Sequence, residues 1–155
     1  MNDLLNSLNR EMAAIVDSVR PSLVQLVNGR HGQGAGTIWH EDGLILTNAH
    51  VVAGRWGGPP QGLNVILRDG RSFPAQLLAH DSQLDLAALA INAANLPTIA
   101  LGDSRRLRPG DWVTALGHPW GIVGATSTGM VIDVGVPLEL PRYPGELIQV
   151  GLQLR

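Results

Sequence analysis

The first twenty residues place apolar and polar positions with the period of an α-helix. Apolar residues recur at intervals of three and four, and Asn2 or Asp3 precedes them as a helix cap. This spacing predicts an amphipathic helix over residues 3–18. Pro21 ends it, because proline cannot continue a helix and favours an extended residue before it. The apolar positions are Leu4, Leu5, Leu8, Met12, Ile15, Val16 and Val19.

After Pro21 the pattern changes to short apolar and β-branched runs separated by Gly, Asp, Asn and Pro. Such runs predict short antiparallel strands with tight turns, so the fold class is all-β, a barrel or sandwich behind an N-terminal α-helix. EDG at 41–43 and RDG at 68–70 lie between apolar runs, as hairpin turns do, and the 19 glycines suit such turns. The predicted strands are LVQLVN, GAGTIWH, GLILTNA, LNVILRD, RSFPAQLLAH, LAALAI, DWVTALG, TGMVIDVG and ELIQV.

The strand pattern divides the chain into four parts. The helix occupies 1–20, residues 21–92 hold enough strands to close a barrel, and residues 93–109 have the composition of a linker. Residues 110–155 show three strand signals, which cannot close, and an open half barrel exposes an apolar face and an unpaired strand edge. We therefore expect that Arg155 is not a natural domain end. Either the chain is the N-terminal part of a longer protein, or a second chain completes the partial second barrel.

Composition narrows the class of partner. With 155 residues, 45% of them hydrophobic, the chain can bury an ordinary core. Eleven basic and 13 acidic residues give a net charge of -2, which predicts neither a nucleic-acid partner nor binding to an anionic membrane. The absence of Cys excludes disulfides, thiolate metal sites and a cysteine nucleophile. The sequence shows no signal segment and no transmembrane span. As written it predicts a cytoplasmic protein, or an extracytoplasmic one if an export segment has been removed.

Two ionisable residues lie in apolar runs, His50 in TNAHVV and Asp85 in QLDLAALAI. Burial of an isolated carboxylate is costly, so we expect a buried donor beside Asp85, and a histidine is the natural one. In a Ser-His-Asp relay the aspartate accepts a hydrogen bond from one imidazole nitrogen, while the other nitrogen takes the serine proton. From these two residues alone, a hydrogen-bonded structural histidine is the more common explanation.

Four longer stretches extend the pattern around these two residues: GQGAGTIWHEDGLILTNAHVVAG, DGRSFPAQLLAHDSQLDLAALAI, LPTIALGDSRRLRPGDWVTALGHPWG and TSTGMVIDVG. In this order and at this spacing they resemble the protease domain of the HtrA/Do (Deg) family of trypsin-like serine endopeptidases, and the similarity extends over about residues 19–150. The resemblance implies a double β-barrel of two six-stranded barrels, with His50 in TNAH as the general base and Asp85 in LDLAAL as its orienting acid. It also implies that GHPWG at 117–121 lies beside the active site, with His118 where the family more often has Asn.

The resemblance also locates the nucleophile, in a GNSGG loop shortly after a strand similar to GELIQVGLQLR. This sequence reaches Arg155 before such a loop. We therefore expect the serine and the oxyanion-hole donors just after Arg155, and expect the 155 residues alone to be inactive. Ser127 in GATSTGMV lacks the pattern of a G-x-S-x-G elbow. Ser104 in LGDSRRL resembles the GDS block of a GDSL-type esterase, but Ala115 stands where that family's Asp would precede His118.

The sequence predicts no metal site and no cofactor. The remaining histidines form no H-E-x-x-H motif, and we expect them to be solvated or in turns. They are His31, His40, His80 and His118.

The resemblance also implies the partners. The substrates would be unfolded or extended polypeptides, as in protein quality control, and the chain would form a homo-oligomer, a trimer. The alternative function, from another class, is a non-catalytic pseudo-protease, a binding or assembly module completed by another chain.

Overall fold

The amphipathic N-terminal segment forms a helix, α1, over Asn2–Val19 in a computed structural model that describes residues 2–28, 32–53, 62–118, 124–135 and 146–152. A 3-10 turn at Arg20–Ser22 ends α1, as the proline predicts, and the hydroxyl of Ser22 donates to the carbonyl of Val19 over 2.8 Å. The predicted helix is therefore confirmed. Among the described residues, no helix is long and apolar enough to cross a membrane.

The apolar side of α1 lies in solvent. Four of its large side chains are exposed, although the pattern of the helix predicts that this side packs against another surface. They are Leu4, Leu5, Leu8 and Ile15.

Six antiparallel strands close into a barrel in the order β1-β2-β3-β6-β5-β4, because β1 pairs with both β2 and β4. Each strand coincides with one of the predicted apolar runs to within a few residues. Their bounds are β1 Leu23–Asn28, β2 Gly32–His40, β3 Leu44–Thr47, β4 Leu63–Ile66, β5 Ser72–Asp81 and β6 Leu86–Ile91.

Both predicted hairpin turns are present. Gly43 has φ +94° and donates its N–H to the carbonyl of His40 over 3.1 Å, and Gly70 has φ +87° and donates to Leu67 over 2.9 Å. Gly43 is doubly required, because a Cβ there would stand 2.2 Å from the carbonyl oxygen of Ile91 at the end of β6. These glycines fix where β2 turns into β3 and where β4 turns into β5.

Alternate residues of the strands fill the barrel. The pattern is clearest in β6, where Ala87, Leu89 and Ile91 are buried and the residues between them are not. Residues 93–100, within the predicted linker, also contact the barrel: Leu96 joins the core and donates its N–H to the carbonyl of Glu41 over 3.1 Å. The fully buried large side chains are Val24, Leu26, Ile38, Ile45, Val52, Val65 and Leu89.

The described residues fall into two compact units, the first within 1–100 and 116–125 and the second within 101–115 and 126–155. Three further strands, β7 (Trp112–Gly117), β8 (Ala125–Gly135) and β9 (Leu147–Gly151), make a sheet in the order β7-β8-β9. Within the second unit, Val131 is buried and exchanges backbone hydrogen bonds with residues 110 and 111. The predicted all-β fold with an N-terminal helix is thus confirmed.

The barrel core gives a direct test of this packing. Leu89 is fully buried, so Leu89→Ala should lower the free energy of unfolding by about 2–5 kcal/mol, the usual cost of such a cavity. Leu78 lies on β5, which pairs with β6, but is 53% exposed. Leu78→Ala should therefore lower the free energy of unfolding by less than about 1 kcal/mol. Denaturant unfolding of both variants measures the two values, and equal losses would contradict the barrel interior described here.

Candidate active site

The run TNAHVV begins at Thr47, the last residue of β3, and there leaves the barrel wall. Thr47 is buried and donates its hydroxyl to the carbonyl of Ala35 over 2.8 Å. A single helical turn, α2, follows over Ala49–Val52. Ala49 and Val52 face the core, whereas the side chain of His50 between them is 71% exposed. The apolar residues of the run therefore anchor the turn, and the histidine projects outward.

Asp85 comes to the same place from the neighbouring strand. β3 and β6 pair antiparallel with Thr47 opposite Ala87, so the end of β3 and the start of β6 lie at one edge of the barrel. His50 follows Thr47 by three residues and Asp85 precedes Ala87 by two. The pairing of two strands thus explains how residues far apart in the sequence meet.

The backbone of Asp85 is left-handed, with φ +53°. Aspartate tolerates this conformation better than most residues, although it still costs of order 1 kcal/mol. It lets the amide of Asn48 donate both to the backbone carbonyl of Asp85, over 3.1 Å, and to its Oδ2, over 3.2 Å. Asn48 therefore holds the turn that presents the carboxylate.

The carboxylate of Asp85 binds His50 twice. Its Oδ1 accepts the backbone N–H of His50 over 2.9 Å, and its Oδ2 lies 2.7 Å from the ring Nδ1. The backbone N–H of His50 is the main cause that holds the pKa of Asp85 below its ordinary value of 3.8, and the His50 ring and the Asn48 amide act in the same direction. Asp85 is therefore ionised at neutral pH and can only accept hydrogen bonds.

An ionised Asp85 decides which ring nitrogen of His50 carries the proton. Because Oδ2 can only accept, Nδ1 is the protonated nitrogen, and Nε2 of the neutral ring keeps its lone pair. An imidazole held in this tautomer, with its ring exposed, is a proton acceptor for a group that arrives from solvent. The pair is thus chemically competent as a general base and its orienting acid.

The prediction that His50 and Asp85 are buried is wrong. Their side chains are 71% and 39% exposed. The apolar residues of TNAHVV pack into the core from one side of a helical turn, which leaves His50 on the exposed side. Asp85 precedes β6 with a left-handed backbone, outside the alternation of that strand, and its neighbours Leu84 and Leu86 are themselves exposed. Asn48 was missed as a member of the site, and its place directly before the Ala-His pair was the only available signal.

His118 directly follows β7 and is only 6% exposed. The prediction that this histidine is solvated is therefore wrong. Burial lowers the pKa of the imidazole, and its Nδ1 has no hydrogen-bond partner among the described residues. Pro119, Trp120 and Gly121, the rest of the GHPWG motif, lie outside the described residues.

His40 and His80 are exposed as predicted, while His31 lies outside the described residues. Ser104 begins a 3-10 turn and Ser127 lies in β8. In the described part of the chain, no group of three or more His, Asp and Glu residues could hold a metal ion.

Known proteins resemble this chain both in sequence and in fold. The sequence profile of the trypsin-like peptidase domain matches residues 34–150. A DegP-like periplasmic serine endoprotease of Halomonas elongata is 43% identical over 114 residues, which are 74% of this chain and 23% of that protein. The mitochondrial serine protease HTRA2 of Drosophila willistoni is 44% identical over 98 residues, which are 63% of this chain and 22% of that protein.

Solved structures agree with these relatives. The HtrA-type protease AlgW with a tripeptide superposes with a TM-score of 0.75 at 34% identity and covers 84% of this chain, and this chain covers 43% of it. AlgW with a decapeptide gives a TM-score of 0.74 at 30% identity. The resemblance to HtrA proteases and the trypsin-like double-barrel fold class are therefore confirmed. The chain spans about a quarter of the length of the curated relatives it matches.

The buried His118 predicts a pH dependence of stability. Its folded pKa is lowered from 6.5, so below pH 6.5 the unfolded chain binds a proton that the folded chain does not. The free energy of unfolding should therefore decrease as the pH falls from 6.5 towards the folded pKa, and level off once the folded histidine is protonated as well.

The variant His118→Asn should lose this component, because asparagine does not titrate. Denaturant unfolding at a series of pH values, compared between the wild type and His118→Asn, isolates the contribution from those of the other histidines. Parallel pH profiles of the two proteins would contradict a desolvated His118.

Proposed function

This chain belongs to the HtrA-type serine proteases of the trypsin-like peptidase family, and we propose on that premise that it carries the general base and the orienting acid of a serine endopeptidase. His50 is the proposed base and Asp85 the proposed acid. The observation that carries the proposal is the 2.7 Å contact between Nδ1 of His50 and the carboxylate of Asp85.

In the proposed reaction, Nε2 of His50 takes the proton of a serine hydroxyl as its oxygen attacks the scissile carbonyl. The imidazolium that forms is stabilised by Asp85, which keeps its negative charge throughout. His50 then returns the proton to the leaving amine. A positioned general base of this kind contributes roughly 10²–10⁴-fold to the rate.

The exposure of the His50 ring supports this role. A structural histidine that only satisfies a buried carboxylate has no need of solvent, whereas a general base must reach a substrate. Here one hydrogen bond to Asp85 holds Nδ1 of the ring, a second holds the backbone N–H of His50, and the side chain is otherwise exposed. A catalytic imidazole needs both features, because one ring nitrogen is oriented by the aspartate and the other must reach the serine proton.

We propose an extended polypeptide as the substrate and the serine of a GNSGG loop, the family motif expected after β9, as the nucleophile. The support for the substrate class is the similarity to AlgW, whose structures contain a tripeptide or a decapeptide. Cleavage of unfolded chains in protein quality control is the physiological task that fits such a substrate.

The test uses the protein expressed from the full native gene. His50→Ala and Asp85→Asn should each lower kcat/KM on an unfolded protein substrate by at least about 10³-fold, because the first removes the base and the second the acceptor that fixes its tautomer. Both should also suppress labelling by a fluorophosphonate, and peptide mapping of the labelled wild type identifies the serine.

The matched controls are His40→Ala and Asp42→Asn, since Nδ1 of His40 lies 3.6 Å from Oδ2 of Asp42 in a second exposed His-Asp pair of the same barrel. Both controls should keep wild-type turnover. Full activity in His50→Ala would refute the assignment of the base. A folded wild type that neither cleaves nor takes up the probe would indicate the non-catalytic module instead.

A further inference from the structure

The turn that carries His50 is too short to be stable by itself. α2 has four residues. An isolated helix of one turn does not form in water, because the free energy of nucleation exceeds the stabilisation that the hydrogen bonds of one turn provide. Its conformation must come from the residues that contact it. Ala49 and Val52 supply one contact by packing into the barrel core.

A second contact comes from Asn28, the last residue of β1. Its Nδ2 lies 3.5 Å from the carbonyl oxygen of Val51 and 3.3 Å from those of Val52 and Ala53. The last carbonyls of a helix have no partner within the helix, so a donor placed beyond its end satisfies them. All three neighbours of this nitrogen are acceptors, which fixes the orientation of the amide, since its oxygen could not face them.

A third contact is the close approach of Val51 to β2. A Cβ on Gly34 would stand 2.4 Å from Cγ1 of Val51, a distance at which one of the two residues must move. Gly34 therefore leaves the space into which Val51 fits. The turn is held by the core beneath it, by Gly34 at its flank and by Asn28 at its end.

We propose that Asn28 is a positioning residue for His50. The proposal rests on the proposed function in so far as His50 is the general base, and concerns how that base is aimed. His50 offers Asp85 both its backbone N–H and its ring, so a shift of α2 lengthens both hydrogen bonds together. Asn28 ties the carbonyl end of α2 to β1, a strand paired on both sides in the closed barrel, and thereby resists that shift.

The test removes the amide without adding a charge. Asn28→Leu keeps the branched shape of the side chain but donates nothing, and Asn64→Leu is the matched control. Asn64 lies opposite Val27, beside Asn28 in the β1–β4 pairing, is also half-buried, and likewise donates to a backbone carbonyl, that of Gly62, over 3.0 Å. The control bond does not involve α2.

The readout is the titration of the Asp85 carboxyl carbon by NMR, assigned with Asp85→Asn. The main cause that lowers the pKa of Asp85 is the His50 backbone N–H, so a displaced α2 should raise the midpoint. We expect a higher midpoint in Asn28→Leu than in the wild type, and a wild-type midpoint in Asn64→Leu. A folded Asn28→Leu with the wild-type midpoint would overturn the proposal.

If Asn28→Leu does not fold, Asn28→Ala decides the question by the same titration, because water can then reach the freed carbonyls. In the full-length protein, a folded Asn28 variant should lose roughly tenfold in kcat with KM unchanged, as expected when a base is misaimed. The titration needs no turnover. Failure of the proposed function would therefore show in His50→Ala, whereas failure of this inference would show in the Asp85 midpoint.

Discussion

The carboxylate of Asp85 fixes His50 at two points, its backbone N–H and its ring nitrogen. One contact alone would leave the imidazole free to rotate or the turn free to shift. Together, the two contacts fix both the position of α2 and the orientation of the ring. The left-handed backbone of Asp85 belongs to the same arrangement, since it allows Asn48 to bind the carbonyl and the carboxylate together. Four hydrogen bonds therefore maintain a conformation that the chain would not adopt otherwise.

The barrel supplies the rigidity that this constraint needs. The ends of β3 and β6 meet because the two strands pair antiparallel, and closure of the sheet leaves neither strand at an edge. Ala49 and Val52 then join α2 to the core of the same barrel. A site built on the ends of paired strands keeps its geometry better than one built on free loops. The exposed imidazole thus projects from a turn whose apolar residues are buried in the barrel core.

Much of the fold follows from the sequence because it depends on local signals. The 3.6-residue period predicts α1, and the apolar runs between glycine turns predict the strands to within a few residues. The His50–Asp85 pair was identified through motif resemblance, since periodicity does not show which residues meet across a barrel. Exposure was predicted wrongly because a one-turn helix inside an apolar run buries residues on one side only. The contribution of Asn28 was not predictable, because it depends on a tertiary contact between β1 and α2, and the burial of His118 depends on packing in the same way.

Asp85 holds His50 with its proton on Nδ1 and leaves Nε2 unprotonated. The nitrogen NMR spectrum of the neutral His50 ring measures this tautomer. We expect a protonated Nδ1, an unprotonated Nε2 and an Nδ1 proton shifted far downfield by the carboxylate. A ring protonated on Nε2, or one that averages between the two tautomers as free histidine does, would contradict this expectation.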